Sequence, residues 1–172
     1  MPAPLIRLRA QSLRLRYPEE DGAQDAEALA ASADGSLLLV TKSGGPSRFY
    51  LARWPVSAAD SSVQILKLVG QKQFGSTEPG RRRARDLLAT GADASPDGSR
   101  LAVITYAALW TWKLPPGAWY ELDWKSVLQS EPVVTPLPVL EQCESVAWSG
   151  NRDVIVSSEG AGAPLWSIPV PR

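Results

Sequence analysis

Residues 92–114 read Ala-Asp-Ala-Ser-Pro-Asp-Gly-Ser-Arg-Leu-Ala-Val-Ile-Thr-Tyr-Ala-Ala-Leu-Trp-Thr-Trp-Lys-Leu, and weaker copies of the pattern lie on either side. Asp97-Gly98 is a turn dipeptide: glycine accepts positive φ, and the aspartate carboxylate bonds its own backbone two residues on. Around it stand three short stretches rich in apolar residues, 87–95, 100–106 and 109–114, the last carrying Trp110 and Trp112. Short apolar runs separated by turn residues predict antiparallel strands. A lone meander cannot bury its apolar faces, so a chain built of several must stack them.

The copies can be laid on one another. The first occupies residues 25–55, with strands at 27–33, 37–41 and 49–54, a turn at Asp34-Gly35 and a hairpin at Ser43-Gly44-Gly45-Pro46. Residues 62–69 alternate in character and predict a fourth, outermost strand. The third copy, 142–168, has strands at 144–149, 154–157 and 165–168, joined at Gly150-Asn151 and Gly160-Ala161-Gly162. Asp34, Asp97 and Asn151 recur at spacings of 63 (34 to 97) and 54 (97 to 151) residues, preceded by Ser32, Ser95 and Ser149. Tyr50-Leu51-Ala52, Trp110-Thr111-Trp112 and Trp166-Ser167-Ile168 align in the third strands.

The segments between the copies have their own signals. Residues 13–17 alternate apolar and cationic side chains and predict an outer strand, and 18–24 are acidic and turn-like. Beyond Pro115-Pro116-Gly117, Asp123 is an N-cap candidate for one or two helical turns over 123–128. Residues 133–139, interrupted by Pro136 and Pro138, can form only an edge strand, since proline cannot donate to a ladder. The reading is an all-β single domain of four-stranded antiparallel units: an outer strand and turn (1–24), one unit (25–70), a linker and second unit (71–140), and a third unit (141–172) that lacks its own outer strand.

Composition narrows the chemistry. Lys plus Arg and Asp plus Glu each number 18 in the 172 residues, so no overall field draws nucleic acid or an anionic membrane surface. Arg81-Arg82-Arg83-Ala84-Arg85 is short and lacks aromatic platforms, and reads as a solvated loop. No apolar run reaches membrane length, and the N-terminal residues lack the charged start and apolar core of a signal peptide. A cytoplasmic location follows for the chain as written, and export if it is a fragment of a longer precursor. Cys143 is the single cysteine and histidine is absent, so no Ser-His or Cys-His couple exists. Cys143 reads as a small buried hydrophobe, and the seven tryptophans as packing between sheets.

Ala94-Ser95-Pro96-Asp97-Gly98-Ser99-Arg100-Leu101-Ala102-Val103 resembles the Ser-Pro-Asp-Gly repeat of TolB-like and related WD-type six-bladed β-propellers. Residues 25–29 and 90–93 are similar to uncharacterised bacterial propeller proteins of greater length, of which this chain matches the latter half. The first and third copies depart from the motif, with Ala33-Asp34-Gly35 and Gly150-Asn151-Arg152. The resemblance implies three four-stranded blades, half of a six-bladed ring, whose innermost strands line a channel.

On that reading the inner-strand starts supply Asp25, Glu27, Thr90, Asp93, Gln142 and Glu144, with Asp93 pointing into the channel beside Glu27 and Glu144. Such a set could hydrogen-bond a small polar ligand or hold calcium, a hard cation that takes about six to eight oxygens. It could equally satisfy neighbouring backbone groups, as unpaired inner-strand edges require. Two functions stay open: a non-catalytic binding or scaffold module with no cofactor, engaging a protein or small polar ligand at funnel or rim, and a calcium-dependent hydrolase of the phytase or lactonase kind. The expected partners are a second copy or the missing half of the ring. In a dimer, residues 13–17 of each chain would complete the other's third blade.

Overall fold

The computed structural model describes residues 12–53, 63–75, 84–138 and 142–171. Expected features at Trp54, Ser62, Arg81, Arg82, Arg83 and Val139 lie outside the described residues. The described chain is predominantly β. A first sheet contains β2 (Ala26–Ala31), β3 (Ser36–Thr41), β4 (Ser47–Arg53) and β6 (Lys67–Lys72) in that order, all antiparallel. The second has β7 (Ala89–Ala94), β8 (Arg100–Thr105), β9 (Ala108–Lys113) and, at its edge, β10 (Val133–Pro136). A third holds β11 (Cys143–Ser149), β12 (Asp153–Ser158) and β13 (Trp166–Pro169). The two-residue strands β1 (Leu15–Arg16) and β5 (Gln64–Ile65) pair in parallel.

The turns follow their side chains. Asp97 Oδ1 accepts from Ser99 N at 3.0 Å and from the hydroxyls of Ser95 and Ser99 at 2.7 Å each. The Ser95 hydroxyl first, then the Ser99 amide and hydroxyl, hold its pKa down at about 2. Asp34 repeats the arrangement with the Ser32 hydroxyl and, at 2.7 Å, Ser36 N. Gly98 follows with φ 70, where a Cβ is strained. Gly98→Ala is therefore expected to cost about 1 kcal/mol in urea unfolding. A neutral result would mean that the turn relaxes into another form.

Stacking comes from alternation. β2 lies against β7, and β7 against β11, so the first strands of the three sheets stand side by side. Leu38, Val40, Phe49 and Leu51 of the first sheet share a core with Leu101, Val103, Trp110 and Trp112 of the second. Ala102, Ile104 and Leu109, on the opposite face of the second sheet, share another with Trp148, Val154 and Val156 of the third. Small residues set the approach: a Cβ at Gly91 would meet Val146 Cγ1 at 3.1 Å. The helix α1 (Trp124–Gln129) begins at Asp123, whose carboxylate accepts from Ser126 N at 3.1 Å. It packs on β6, where a Cβ at Gly70 would stand 2.7 Å from Leu128 Cδ1.

The N-terminal strand lies outside the first sheet. Gln64 N and Leu66 N donate to Arg14 O and Arg16 O at 2.9 and 2.8 Å, so β1 is paired within its own chain. Leu15 and Tyr17 settle against Tyr50, Ala52 and Leu66, on the face of the first sheet that points away from the second. Apolar side chains there, Leu37 and Leu39 among them, give this segment a place to bury within its own chain.

Candidate functional site

Each first strand carries one register shift near its start, between Ala26 and Ala28, Ala89 and Gly91, and Cys143 and Ser145. The extra residues at these bulges are Glu27, Thr90 and Glu144, three of the six sequence candidates. A bulge leaves its residue out of the ladder and re-aims the side chain. Across the strand pair lie Thr41, Thr105 and Ser158, and just beyond them Lys42, Tyr106 and Glu159. The three sheets therefore present equivalent pairs of positions at one end.

Four of these side chains make one chain of contacts. Lys42 Nζ donates to Glu27 Oε2 at 2.7 Å and to the Tyr106 hydroxyl at 3.0 Å, and that hydroxyl donates to Glu144 Oε1 at 2.7 Å. Glu27 and Lys42 belong to the first sheet's strand ends, Tyr106 to the second's and Glu144 to the third's. Burial opposes the charge on Lys42, but hydrogen bonds to Glu27 and Tyr106 outweigh it and raise its pKa. Tyr106 is also raised, by burial first and against the pull of Lys42. Arg85 and Lys42 both stand 5.2 Å from the Tyr106 ring centroid, within cation–π reach.

Glu159 adds a second carboxylate beside Glu144. The hydrogen bond with Glu144 and then its negative charge raise the Glu159 pKa. Because the folded chain holds this proton more tightly than the unfolded one, Glu159's stabilising contribution is present below the ordinary glutamate pKa. It is lost as pH rises through the raised value. A carboxyl ¹³C NMR titration should show Glu159 titrating above the ordinary glutamate range, and returning to it in Glu144→Gln. An unchanged titration in that variant would refute the coupling.

The other candidates do different work. Thr90 Oγ1, buried, donates to Cys143 O at 2.6 Å. Asp93 lies at the opposite end of β7 and accepts from Trp148 N at 2.7 Å, so it does not join Glu27 and Glu144. Both residues satisfy the edge of β11, whose inner side has no strand partner among the described residues. Asp25 and Gln142 contribute backbone carbonyls, to Lys42 N at 2.8 Å and Glu159 N at 3.0 Å. Cys143 is fully buried, and burial, then the charge of Glu144, push its thiol up to about 11.

Sequence reasoning missed Lys42, Tyr106, Arg85 and Glu159. Arg85 belongs to the cluster read as a solvated loop. For calcium the arrangement offers little, since the Lys42 ammonium already neutralises Glu27. Among the described residues no group of three or more His, Cys, Asp or Glu is placed to hold a metal ion. Among them, too, no helix is long and apolar enough to cross a membrane. No protein-family model matches the chain, and no curated protein matches it.

Proposed function

We propose that the chain forms three blades of a β-propeller and acts as a non-catalytic binding module, whose ligand end is the mouth where Glu27, Lys42, Tyr106 and Glu144 meet. One observation carries the reading: bulge residues of the first and third sheets, Glu27 and Glu144, and the strand-end residues Lys42 and Tyr106 join in a single polar network spanning all three sheets. Carboxylates, an ammonium and a phenol on rigid strand ends suit a small polar ligand carrying both donors and acceptors. The Tyr106 hydroxyl is held between Lys42 and Glu144 at 3.0 and 2.7 Å, a fixed set of donors and acceptors that suits recognition of a ligand.

The same reading bears on partners. Alternation puts Leu29, Leu37 and Leu39 on the front of the first sheet, and Leu29 remains 54% exposed. The corresponding rear face of the third sheet carries Ser145, Ala147, Ile155 and Ser157. Head-to-tail pairing of two copies would set leucines against a face half of which, Ser145 and Ser157, is polar. A separate set of blades with an apolar rear face fits the front better, so the missing half of a ring is the favoured partner over self-association.

A thermal-shift panel of sugars, amino acids, carboxylic acids, phosphate and Ca²⁺ tests the mouth. At least one polar organic compound should raise the melting temperature by about 5 °C or more at about 100 times its Kd. Tyr106→Phe and Glu144→Gln should abolish the rise. A panel without response, or a response that survives both substitutions, would remove the site. A rise with Ca²⁺ alone, accompanied by hydrolysis of a lactone or phosphate ester, would establish the calcium hydrolase instead.

A further inference from the structure

At the other end of the strands the turns of the first two sheets and residues 114–119 enclose a cleft of about 470 Å³. That volume falls in the range of small-ligand pockets, about 300–1,000 Å³. One wall is apolar, formed by Leu114, Pro115, Pro116 and Trp119, and the other is acidic, formed by Asp34 and Asp97. The cleft is closed on one side by Trp119 N, which donates to Asp34 Oδ2 at 2.6 Å.

The two aspartates are not equivalent. In Asp34 both oxygens are used, Oδ1 by the Ser32–Ser36 turn and Oδ2 by Trp119. In Asp97 the turn uses Oδ1 alone, and Oδ2 has no hydrogen-bonding partner among the described residues. The carboxylate is ionised at neutral pH, as an exposed aspartate is, and its turn hydrogen bonds hold its pKa down at about 2. A fixed negative charge with an open oxygen thus faces a proline-lined wall.

We propose that this cleft binds a basic side chain of an extended peptide, with the aliphatic stem on the Leu114–Trp119 wall and the guanidinium or ammonium on Asp97 Oδ2. Charge complementarity selects the cation, and the apolar wall selects a group with a methylene stem. Arginine is favoured over lysine, since its planar head can bond the carboxylate while stacking on the wall. The site lies at the far end of the strands from the network described above and stands or falls separately from it.

The test is a ¹⁵N NMR titration with the capped tripeptide Ac-Ala-Arg-Ala-NH₂ against Ac-Ala-Gln-Ala-NH₂. The arginine peptide should shift the amides of Gly98, Ser99 and Gly117, and the glutamine peptide should not. Asp97→Asn keeps the Oδ1 acceptor that the turn uses and removes the charge, and is expected to weaken binding about tenfold. Ala118→Trp places a bulky ring at the cleft lining while leaving both carboxylates in the sequence, and should abolish the shifts. Equal binding of the two peptides would overturn the proposal, as would no shift with either peptide at millimolar concentration. Binding that survives both substitutions, each checked for a native spectrum, would do the same.

Discussion

Phe74→Ala is expected to lower the stability of this fold by about 3–5 kcal/mol, against a typical total of about 5–15 kcal/mol. Phe74 follows β6 and is fully buried. Its ring centroid lies 5.3 Å from that of Trp110 and 6.5 Å from that of Trp112, both near edge-on, and 6.4 Å from that of Phe49. It therefore wedges the first sheet onto the second. Removing the ring deletes contacts on both sides, and the flanking strands cannot collapse together because their ladders hold them. Urea unfolding followed by far-ultraviolet circular dichroism measures the loss, with Phe74→Leu expected to recover more than half of it. Val63→Ala, at a position 46% exposed, should stay within about 0.5 kcal/mol of the parent. A loss below about 1 kcal/mol at Phe74 would mean that the two sheets do not depend on this wedge.

Phe74 also marks a limit of sequence reading. It falls in a stretch of Gly, Gln and Lys that reads as linker, and nothing local says that one residue in it turns inward. The strands and turns were legible for a different reason: their signals are short-range. Asp-Gly dipeptides, period-two alternation and the prolines at 136 and 138 act within a few residues, and the observed strand order and the edge position of Val133–Pro136 follow them. Burial of a single ring between two sheets depends on residues distant in sequence.

The candidate site divides along the same line. Glu27, Thr90 and Glu144 each stand seven residues before Asp34, Asp97 and Asn151, so counting back from the turn finds all three bulges. Counting forward would have found their cross-strand companions: Lys42 and Glu159 lie eight residues beyond the turn and Tyr106 nine. The hairpin's symmetry was therefore a usable signal for Lys42, Tyr106 and Glu159. For Arg85 no such signal exists. It reaches the Tyr106 ring from outside the repeat, through a short 3₁₀ turn at Ala84–Leu87.

Asp93 separates placement from chemistry, and its substitution is the second large effect expected. Alternation along β7 correctly sets residues 91 and 93 on one face, yet that face meets the third sheet and not an open channel. The carboxylate accepts from Trp148 N at 2.7 Å, while the Trp148 indole donates to Asp93 O at 3.3 Å. Thr90, at the other end of β7, takes the Cys143 carbonyl of the same β11 edge. A charge-assisted bond to a shielded amide is worth about 1.5–3 kcal/mol, and truncation would also strand the Trp148 N–H. Asp93→Ala should therefore lower stability by about 2–3 kcal/mol, equivalent to about 4–12 °C in melting temperature for a chain of this size. Asp93→Asn retains the acceptor oxygen without the charge and should lose about half as much. Thr90→Val, combined with Asp93→Ala, should release the β11 edge and raise amide hydrogen exchange at Trp148 ahead of the first sheet. If the residue is an edge clamp, neither Asp93→Ala nor Asp93→Asn alone alters ligand response at the Tyr106 network in a folded variant. A stable Asp93→Ala protein that has lost that response would return Asp93 to the mouth and refute the clamp.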